Sequence, residues 1–115
     1  MQYLVQMKLA SRPTTPQDGV ALIEQFILPT LEQCKKLLDE KKILAGGPMS
    51  GAVALVLIVN AESARELDDV ITSLPLWSRM ETEVTPLTSF EGRQLAVRPT
   101  LERLKARAQA LQGAH

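Results

Sequence analysis

The sequence predicts an α+β domain with the element order β-α-β-β-α-β and one further helix at the C-terminus. Three observations lead to this prediction. Residues 2–9 and 81–88 alternate polar and apolar side chains, as half-buried strands do. Apolar residues recur at helical spacing after Thr15 and again after Ser63. A glycine-rich turn at residues 46–51 separates two short apolar runs, a pattern typical of a β-hairpin.

This element order is that of the ferredoxin-like split βαβ arrangement. Its four antiparallel strands have the spatial order 4-1-3-2, and both helices lie on one face of the sheet. The alternation of the first and fourth strands then places Gln6, Lys8, Glu81 and Glu83 on the uncovered face. A mixed polar face of this kind indicates docking against a second subunit, and Lys8 is expected to form a cross-strand ion pair with Glu81 or Glu83.

Composition excludes several classes of protein. The 115 residues include 13 basic and 13 acidic side chains, whereas proteins that bind nucleic acids or anionic membranes carry a surplus of Lys and Arg. One cysteine, Cys34, cannot close an intrachain disulfide, and with the terminal His115 it cannot complete a structural zinc site. The apolar run at residues 52–59 is too short to cross a membrane. We therefore expect a cytoplasmic protein with no cofactor, metal, nucleic-acid or membrane partner.

The first strand, residues 2–9, places Tyr3, Val5, Met7 and Leu9 on one face. The first helix is predicted to begin after Thr15, which offers a capping hydroxyl, with proline at the next position and Asp18 in the first turn. Pro29 lies inside the helical pattern, so a kink is expected rather than two separate helices. The apolar residues spaced to face the sheet are Val20, Ile23, Ile27, Leu31, Cys34 and Leu38.

The second half of the chain is predicted to contain a β-hairpin, a helix and a fourth strand. Strands are predicted at residues 42–45 and 52–59, with the glycine turn between them. Ser63 and Glu66 form a capping box for the second helix, which Pro75 ends. Pro86 indicates that the fourth strand lies at an edge of the sheet or ends there. The apolar face of the second helix is formed by Leu67, Val70, Ile71 and Leu74.

A last helix is predicted from about Pro99 to Leu111, and it divides the chain into a domain at residues 1–98 and a helix at residues 99–115. Its apolar stripe has 3-4-3 spacing and consists of Leu101, Leu104, Ala108 and Leu111. Residues 93–107 carry five basic side chains and one acidic one, whereas residues 62–83 carry six acidic and two basic ones. This helix is therefore expected to pack on a neighbouring subunit, with its basic side chains near the acidic middle of that neighbour.

Segments of the chain resemble two known families. The segments Ser63–Leu67 and Leu74–Trp77, followed by Met80 and then a strand with Val84 and Leu87, resemble the second half of muconolactone isomerases over about residues 40–90. The turn Ile43–Pro48 resembles that of YCII-related proteins, although this chain lacks their His and Asp pair. Both resemblances imply a dimeric α+β barrel, and hence a homodimer or a larger homo-oligomer.

A site is predicted at one end of the sheet, where the topology brings Arg12, Ser50, Trp77 and Arg79 together over the gap beside the first helix. Glu24 lies on the apolar flank of that helix, where its carboxyl group would suit a general base. Each residue also has a simpler interpretation. Glu24 would reach water, Arg12 would be solvated, and Trp77 would fill the core.

The resemblance to muconolactone isomerases implies a cofactor-independent isomerase of a small unsaturated lactone or enol acid, active in the breakdown of aromatic compounds. Glu24 would carry the proton, Arg12 would bind the anionic substrate and Trp77 would form a wall of the pocket, with Ser50 and Arg79 as further substrate-binding residues. The alternative hypothesis is a non-catalytic ligand-binding or assembly protein of the same fold. Cys34 has no histidine to activate it and is expected to be inert.

Overall fold

The computed structural model describes residues 1–113, so the terminal His115 lies outside the described part of the chain. Four strands form one antiparallel sheet in the spatial order β2-β3-β1-β4, which confirms the predicted topology and fold class. The strands are β1 (Gln2–Leu9), β2 (Ile43–Pro48), β3 (Ala54–Asn60) and β4 (Met80–Leu87). The β-strands at the two edges of the sheet are β2 and β4.

The first helical segment is continuous from residue 16 to residue 39 but changes its winding twice. It consists of α1 (Pro16–Ala21), a π-helical turn (Leu22–Ile27) and α2 (Leu28–Asp39). Thr15 caps it as predicted, since its Oγ1 accepts a hydrogen bond of 3.1 Å from the backbone N–H of Asp18. The π-helical turn ends two residues before Pro29, so the helix accommodates the proline by a wide turn rather than by breaking.

The face that α1 and α2 bury agrees with the predicted one only in part. Leu31 and Cys34 pack against the core as predicted, but Leu22, Thr30 and Leu37 are the buried residues, and Val20, Ile23 and Leu38 are exposed. The prediction assumed a constant rotation of about 100° per residue, and the π-helical turn holds more residues per turn than an α-helix does. This wider turn keeps Leu22 and Thr30 on the same face although they are eight residues apart.

The second helix, α3 (Ala64–Thr72), is followed by a 3-10 turn (Pro75–Arg79) that leads into β4. Ser63 Oγ accepts a hydrogen bond of 3.1 Å from the N–H of Glu66, which confirms the cap. The Glu66 carboxylate accepts in return from the N–H of Glu62, one residue before the cap. The core between these helices and the sheet is formed mainly by Val5, Met7, Leu55, Leu57, Val59, Leu67, Val70, Ile71 and Leu74.

Two predicted boundaries need correction. β2 extends to Pro48 rather than ending at Ala45, so Gly46 and Gly47 lie in the strand and not in the turn. The last helix, α4 (Phe90–Gly113), begins nine residues before the predicted start at Pro99 and passes through that proline. Its cap is Ser89, whose Oγ accepts a hydrogen bond of 2.9 Å from the N–H of Gly92.

No part of residues 1–113 covers the sheet face opposite the helices. The strand register pairs Gln6 with Glu83 and Lys8 with Glu81, so these side chains lie on this face as predicted. The ion pairs within residues 1–113 do not include the expected one between Lys8 and Glu81 or Glu83. Leu4, Val56 and Ile58 are half-buried at its centre. No helix within residues 1–113 has the length and apolar character needed to span a membrane.

Candidate functional site

Three chain segments meet at one end of the sheet, beyond the last residue of β1. The N–H of Leu9 donates a hydrogen bond of 3.0 Å to the carbonyl of Val53, in the connection between β2 and β3. The N–H of Ala10 donates one of 3.0 Å to the carbonyl of Arg79, at the entry to β4. This is the end of the sheet at which the sequence analysis places the candidate site.

The larger opening at this end, here called the main cleft, has a volume of about 870 Å³. It is bounded by the end of β1, by α1 with its π-helical turn, and by the connection from β2 to β3. Its lining is mostly apolar, with the cationic side chains of Lys8 and Arg12 at its margin. The lining residues are Lys8, Leu9, Arg12, Pro13, Gly19, Leu22, Ile23, Ile27, Met49, Gly51, Ala52, Val53 and Ala54.

A smaller opening of about 290 Å³, the arginine cleft, adjoins the main cleft. Arg12, Asp18 and Arg79 line it, together with Ser11, Pro13, Thr14 and Leu22. The guanidinium carbon of Arg79 lies 4.6 Å from the centroid of the Phe26 ring, a cation–π contact that restrains the arginine. Two cations and one carboxylate leave this opening with a net positive charge, which suits an anionic group.

Arg12, Pro13 and Leu22 line both openings, and Arg12 is the charged residue among the three. A ligand with an apolar ring and a carboxylate would therefore place the ring in the main cleft and the anion beside Arg12. The arrangement matches what small-ligand sites usually offer, a concave apolar surface with a few polar groups.

The structure brings some of the predicted site residues together and leaves others apart. Arg12 and Arg79 line the same opening. Ser50 is exposed in the turn between Met49 and Gly51, both of which line the main cleft. Glu24 is exposed and lies next to Ile23 of the main cleft, but it is not among the residues that line either cleft.

Trp77 is 42% exposed and also lies outside the lining of both clefts. The simpler interpretation, in which Trp77 fills the core, is therefore wrong. Its neighbour Leu76, which is 3% exposed, occupies the core instead. Trp77 belongs to the 3-10 turn, in which consecutive side chains point in different directions, and its indole faces outward.

Two residues that were not predicted as site residues line the clefts. Asp18 is the carboxylate that lines the arginine cleft, and its position in the first turn of α1 had indicated only the start of a helix. Lys8 was assigned to the open sheet face, yet it also lines the main cleft at the end of β1. Within residues 1–113, no three His, Cys, Asp or Glu side chains are grouped so that they could hold a metal ion.

Comparisons with known proteins agree with this fold. The profile of the muconolactone delta-isomerase family matches residues 1–92. The crystal structure of a muconolactone isomerase matches with a TM-score of 0.64 at 22% identity, over 77% of this chain and 90% of that one. None of the curated proteins matches the sequence.

A second solved structure with this fold is 5-chloro-2-hydroxyhydroquinone dehydrochlorinase from Burkholderia phenoliruptrix, in complex with 2,5-dihydroxybenzoquinone. It matches with a TM-score of 0.58 at 22% identity, over 80% of this chain and 98% of that one. The family profile ends at residue 92, so all but the first turn of α4 lies beyond it.

Proposed function

Because the chain belongs to the muconolactone delta-isomerase family, we propose that it is an isomerase that moves a proton within a small cyclic carboxylate. The observation that carries this proposal is that Arg12 lines both the apolar main cleft and the cationic arginine cleft. A single ligand can therefore contact apolar surface and an anion site at once. The proposal uses only side chains of the protein and requires no cofactor.

Binding follows from the two clefts. The apolar ring would occupy the main cleft between the end of β1 and the π-helical turn, where its transfer from water is favourable. The carboxylate would pair with the Arg12 guanidinium through two parallel hydrogen bonds. Arg79, restrained by Phe26, would supply the second cation without losing much side-chain entropy on binding. Ser50 lies between Met49 and Gly51 of the main cleft, and Trp77 lies two residues before Arg79 of the arginine cleft. We propose both as further substrate contacts.

The chemical step requires a group that takes a proton from one carbon and returns it to another. Removing a proton from the γ-carbon of an α,β-unsaturated lactone moves its electron pair into the conjugated system and places negative charge on the carbonyl oxygen. Returning a proton at the carbon next to the carbonyl completes the shift of the double bond. Lys8 is a cation at the margin of the main cleft and would stabilise the intermediate charge.

The proton carrier that we propose is Glu24, which lies beside Ile23 of the main cleft. Asp18, which lines the arginine cleft, is the competing carboxylate. The two are separable by mutation because they lie in different turns of the helix, one in α1 and one in the π-helical turn. Glu24→Gln and Asp18→Asn remove the carboxylate and keep the side-chain size.

A second candidate function is ligand binding without turnover. The observation that favours it is the main cleft itself, since no carboxylate or imidazole is among the described residues that line it. A carrier at its rim would then be too remote to reach a carbon of the ring. We retain this function as the alternative, and the same experiment distinguishes the two.

We also propose that the chain forms a homodimer through the open face of the sheet. Half-buried Leu4, Val56 and Ile58 supply an apolar centre on that face. Glu81 and Lys8 are directly paired across β1 and β4 and would form the polar surroundings. Burial of such a centre is the usual driving force for association of subunits.

The test combines binding and turnover with muconolactone and with 2,5-dihydroxybenzoquinone as probes. Turnover is followed by NMR as the shift of the double bond of muconolactone, and binding is followed by calorimetry. We expect Arg12→Gln to lower kcat/KM by about 10-fold to 100-fold, because a charged hydrogen bond is lost. Arg65→Gln is the matched control, since Arg65 is exposed on α3 and lines neither cleft.

Each outcome decides between the candidates. Turnover that is lost in Glu24→Gln supports the isomerase with the proposed carrier, and turnover lost only in Asp18→Asn assigns that role to Asp18. Binding that depends on Arg12 without any turnover in the wild type selects the non-catalytic function. Failure of both probes to bind contradicts both functions.

A further inference from the structure

The C-terminal helix α4 carries a feature that the proposed function does not use. Its seam, defined here as Phe90, Gln94, Val97, Leu101, Leu104, Ala108 and Leu111, recurs with alternating spacings of four and three residues. This is the heptad repeat of a coiled coil, with the seam at the a and d positions over three heptads. The spacing continues through Pro99, which lies on the opposite side of the helix from the seam.

Nothing in the rest of the described chain covers this seam. Phe90 is 94% exposed, Leu104 is 56% exposed and Leu111 is 69% exposed. None of the residues of α4 is buried. The helix projects from the sheet domain, and the molecule measures 76 × 31 × 23 Å as a result. An apolar seam of this length that its own domain leaves bare is typical of a helix that pairs with another.

The positions that flank the seam determine which partner fits. These e and g positions hold Glu91, Arg93, Arg98, Thr100, Lys105, Arg107 and Gln112. Four are basic and one is acidic. Lys105 has an exposed contact of 3.8 Å with Glu102, but such a surface pair holds the lysine only weakly. The flanks of the seam therefore present positive charge along most of the helix.

We propose that α4 forms a coiled coil with an amphipathic helix of another protein whose apolar seam is flanked by Asp and Glu residues. We choose an acidic partner helix because of charge complementarity, since residues at e and g positions determine which helices pair. Each basic flank of α4 would face a carboxylate of that helix. The seam would lose its contact with water along its whole length.

A second copy of the chain fits less well. If two α4 helices paired in parallel, Arg93 of one would face Arg98 of the other. If they paired in antiparallel fashion with a and d layers matched, Arg98 would face Lys105. The acidic α3 of a second copy supplies carboxylates, but its apolar residues Leu67, Val70 and Ile71 are buried in its own core. Packing of α4 on a neighbouring subunit, expected from the sequence, therefore stays a prediction and is one outcome of the test.

An anionic lipid surface also fits less well. Helices that lie on membranes usually present a broad apolar face, whereas the seam of α4 occupies only the a and d positions. Peptide binding and vesicle binding are measured in parallel to distinguish the two.

The experiment uses the full chain and two synthetic peptides of three heptads. Both peptides carry Leu at a and d, one has Glu at all e and g positions and the other has Lys there. We expect the Glu peptide to bind, with affinity that falls by about tenfold on raising salt from low to several hundred millimolar. The Lys peptide should not bind. Vesicles containing phosphatidylserine, without peptide, form the third arm.

Two variants show whether the flanks carry the interaction. The double variant Arg98→Glu, Lys105→Glu should abolish binding of the Glu peptide. Arg103→Glu makes the same charge reversal at one outward c position, so this variant should keep most of the peptide binding. Circular dichroism checks that α4 remains helical in each variant. The proposal is overturned if both peptides bind equally well or if neither binds. It is also overturned if the protein binds vesicles but not the peptides, or if the protein without peptide forms an oligomer that Leu104→Lys dissociates.

Discussion

The hydroxyl of Thr30 accepts a hydrogen bond of 2.8 Å from the backbone N–H of Leu76, 46 residues further along the chain. The Thr30 side chain is fully buried, so water cannot replace either partner. This bond joins α2 to the 3-10 turn, and that turn carries Arg79 to the arginine cleft. The packing of the first helix and the position of a site residue are therefore linked through one hydroxyl group.

Replacing Thr30 by valine should lower the free energy of unfolding by about 1–3 kcal/mol, because the N–H of Leu76 would remain buried without an acceptor. Thr30→Ser keeps the hydroxyl and loses only a methyl group, so it should cost less. Urea denaturation of both variants measures the difference. A valine variant as stable as the wild type would show that the hydrogen bond contributes nothing.

Gly46 should not tolerate a side chain, whereas the adjacent Gly47 should. Gly46 has a φ of 125°, and a Cβ there would lie 2.1 Å from the carbonyl oxygen of Val56. A Cβ on Gly47 would meet nothing within 4 Å. We expect Gly46→Ala to lower the free energy of unfolding by more than about 2 kcal/mol, through backbone strain and displacement of β3.

Thermal unfolding of the two alanine variants provides the comparison. Gly47→Ala should change the melting temperature little, and a loss as large as that of Gly46→Ala would contradict the assignment of the strain to position 46.

Lys41 ends the first helical segment in a conformation that normally requires glycine. Its φ is 61°, and the N–H groups of Lys41 and Lys42 donate to the carbonyls of Leu38 and Leu37, the pattern of a Schellman motif. Lys41→Gly should therefore raise the free energy of unfolding by about 0.5–1 kcal/mol. Lys42→Gly is the control. It should lower the free energy of unfolding, because a glycine there only adds backbone freedom to the unfolded state. A destabilised Lys41→Gly variant would refute the prediction.

Cys34 should make stability depend on pH in the alkaline range. Burial raises the pKa of the Cys34 thiol above its usual value, so the folded state holds the proton more tightly than the unfolded state. Its contribution is complete below the unfolded pKa of about 8.5 and is lost as pH rises through the folded pKa. We expect the stability advantage of the wild type over Cys34→Ala to shrink above about pH 8.5. Denaturation at several pH values measures it, and a constant difference would contradict the shift.

The strand topology could be predicted because its determinants are local. The alternation of β1 and the caps at Thr15 and Ser63 are readable from neighbouring residues alone. The start of α4 was placed too late because Pro99 resembles a helix start, while the actual cap at Ser89 is followed by a glycine that weakens the helical pattern. Gly46 and Gly47 indicated a turn, although the strand uses the missing side chain of Gly46 to approach β3.

The site was predictable only where it depends on topology. Arg12 follows the end of β1 and Arg79 precedes the start of its antiparallel partner β4, so the strand order alone brings them near each other. The position of Glu24 depends on the rotation of the helix, which the π-helical turn changes, and a constant helical period cannot represent that change. The link from Thr30 to Leu76 depends on contacts between distant parts of the chain, for which neither residue carries a local signal.

The projection of α4 from the sheet domain also determines the hydrodynamic properties of the protein. The radius of gyration is 21.2 Å, whereas a compact chain of this length has about 13 Å. A rod attached to a small body experiences more friction than a sphere of the same mass, so a monomer should elute early in gel filtration, as a larger particle would. An elution volume calibrated with spherical standards would overstate the number of subunits. Light scattering or sedimentation equilibrium, which report mass independently of shape, are the suitable measurements of its assembly.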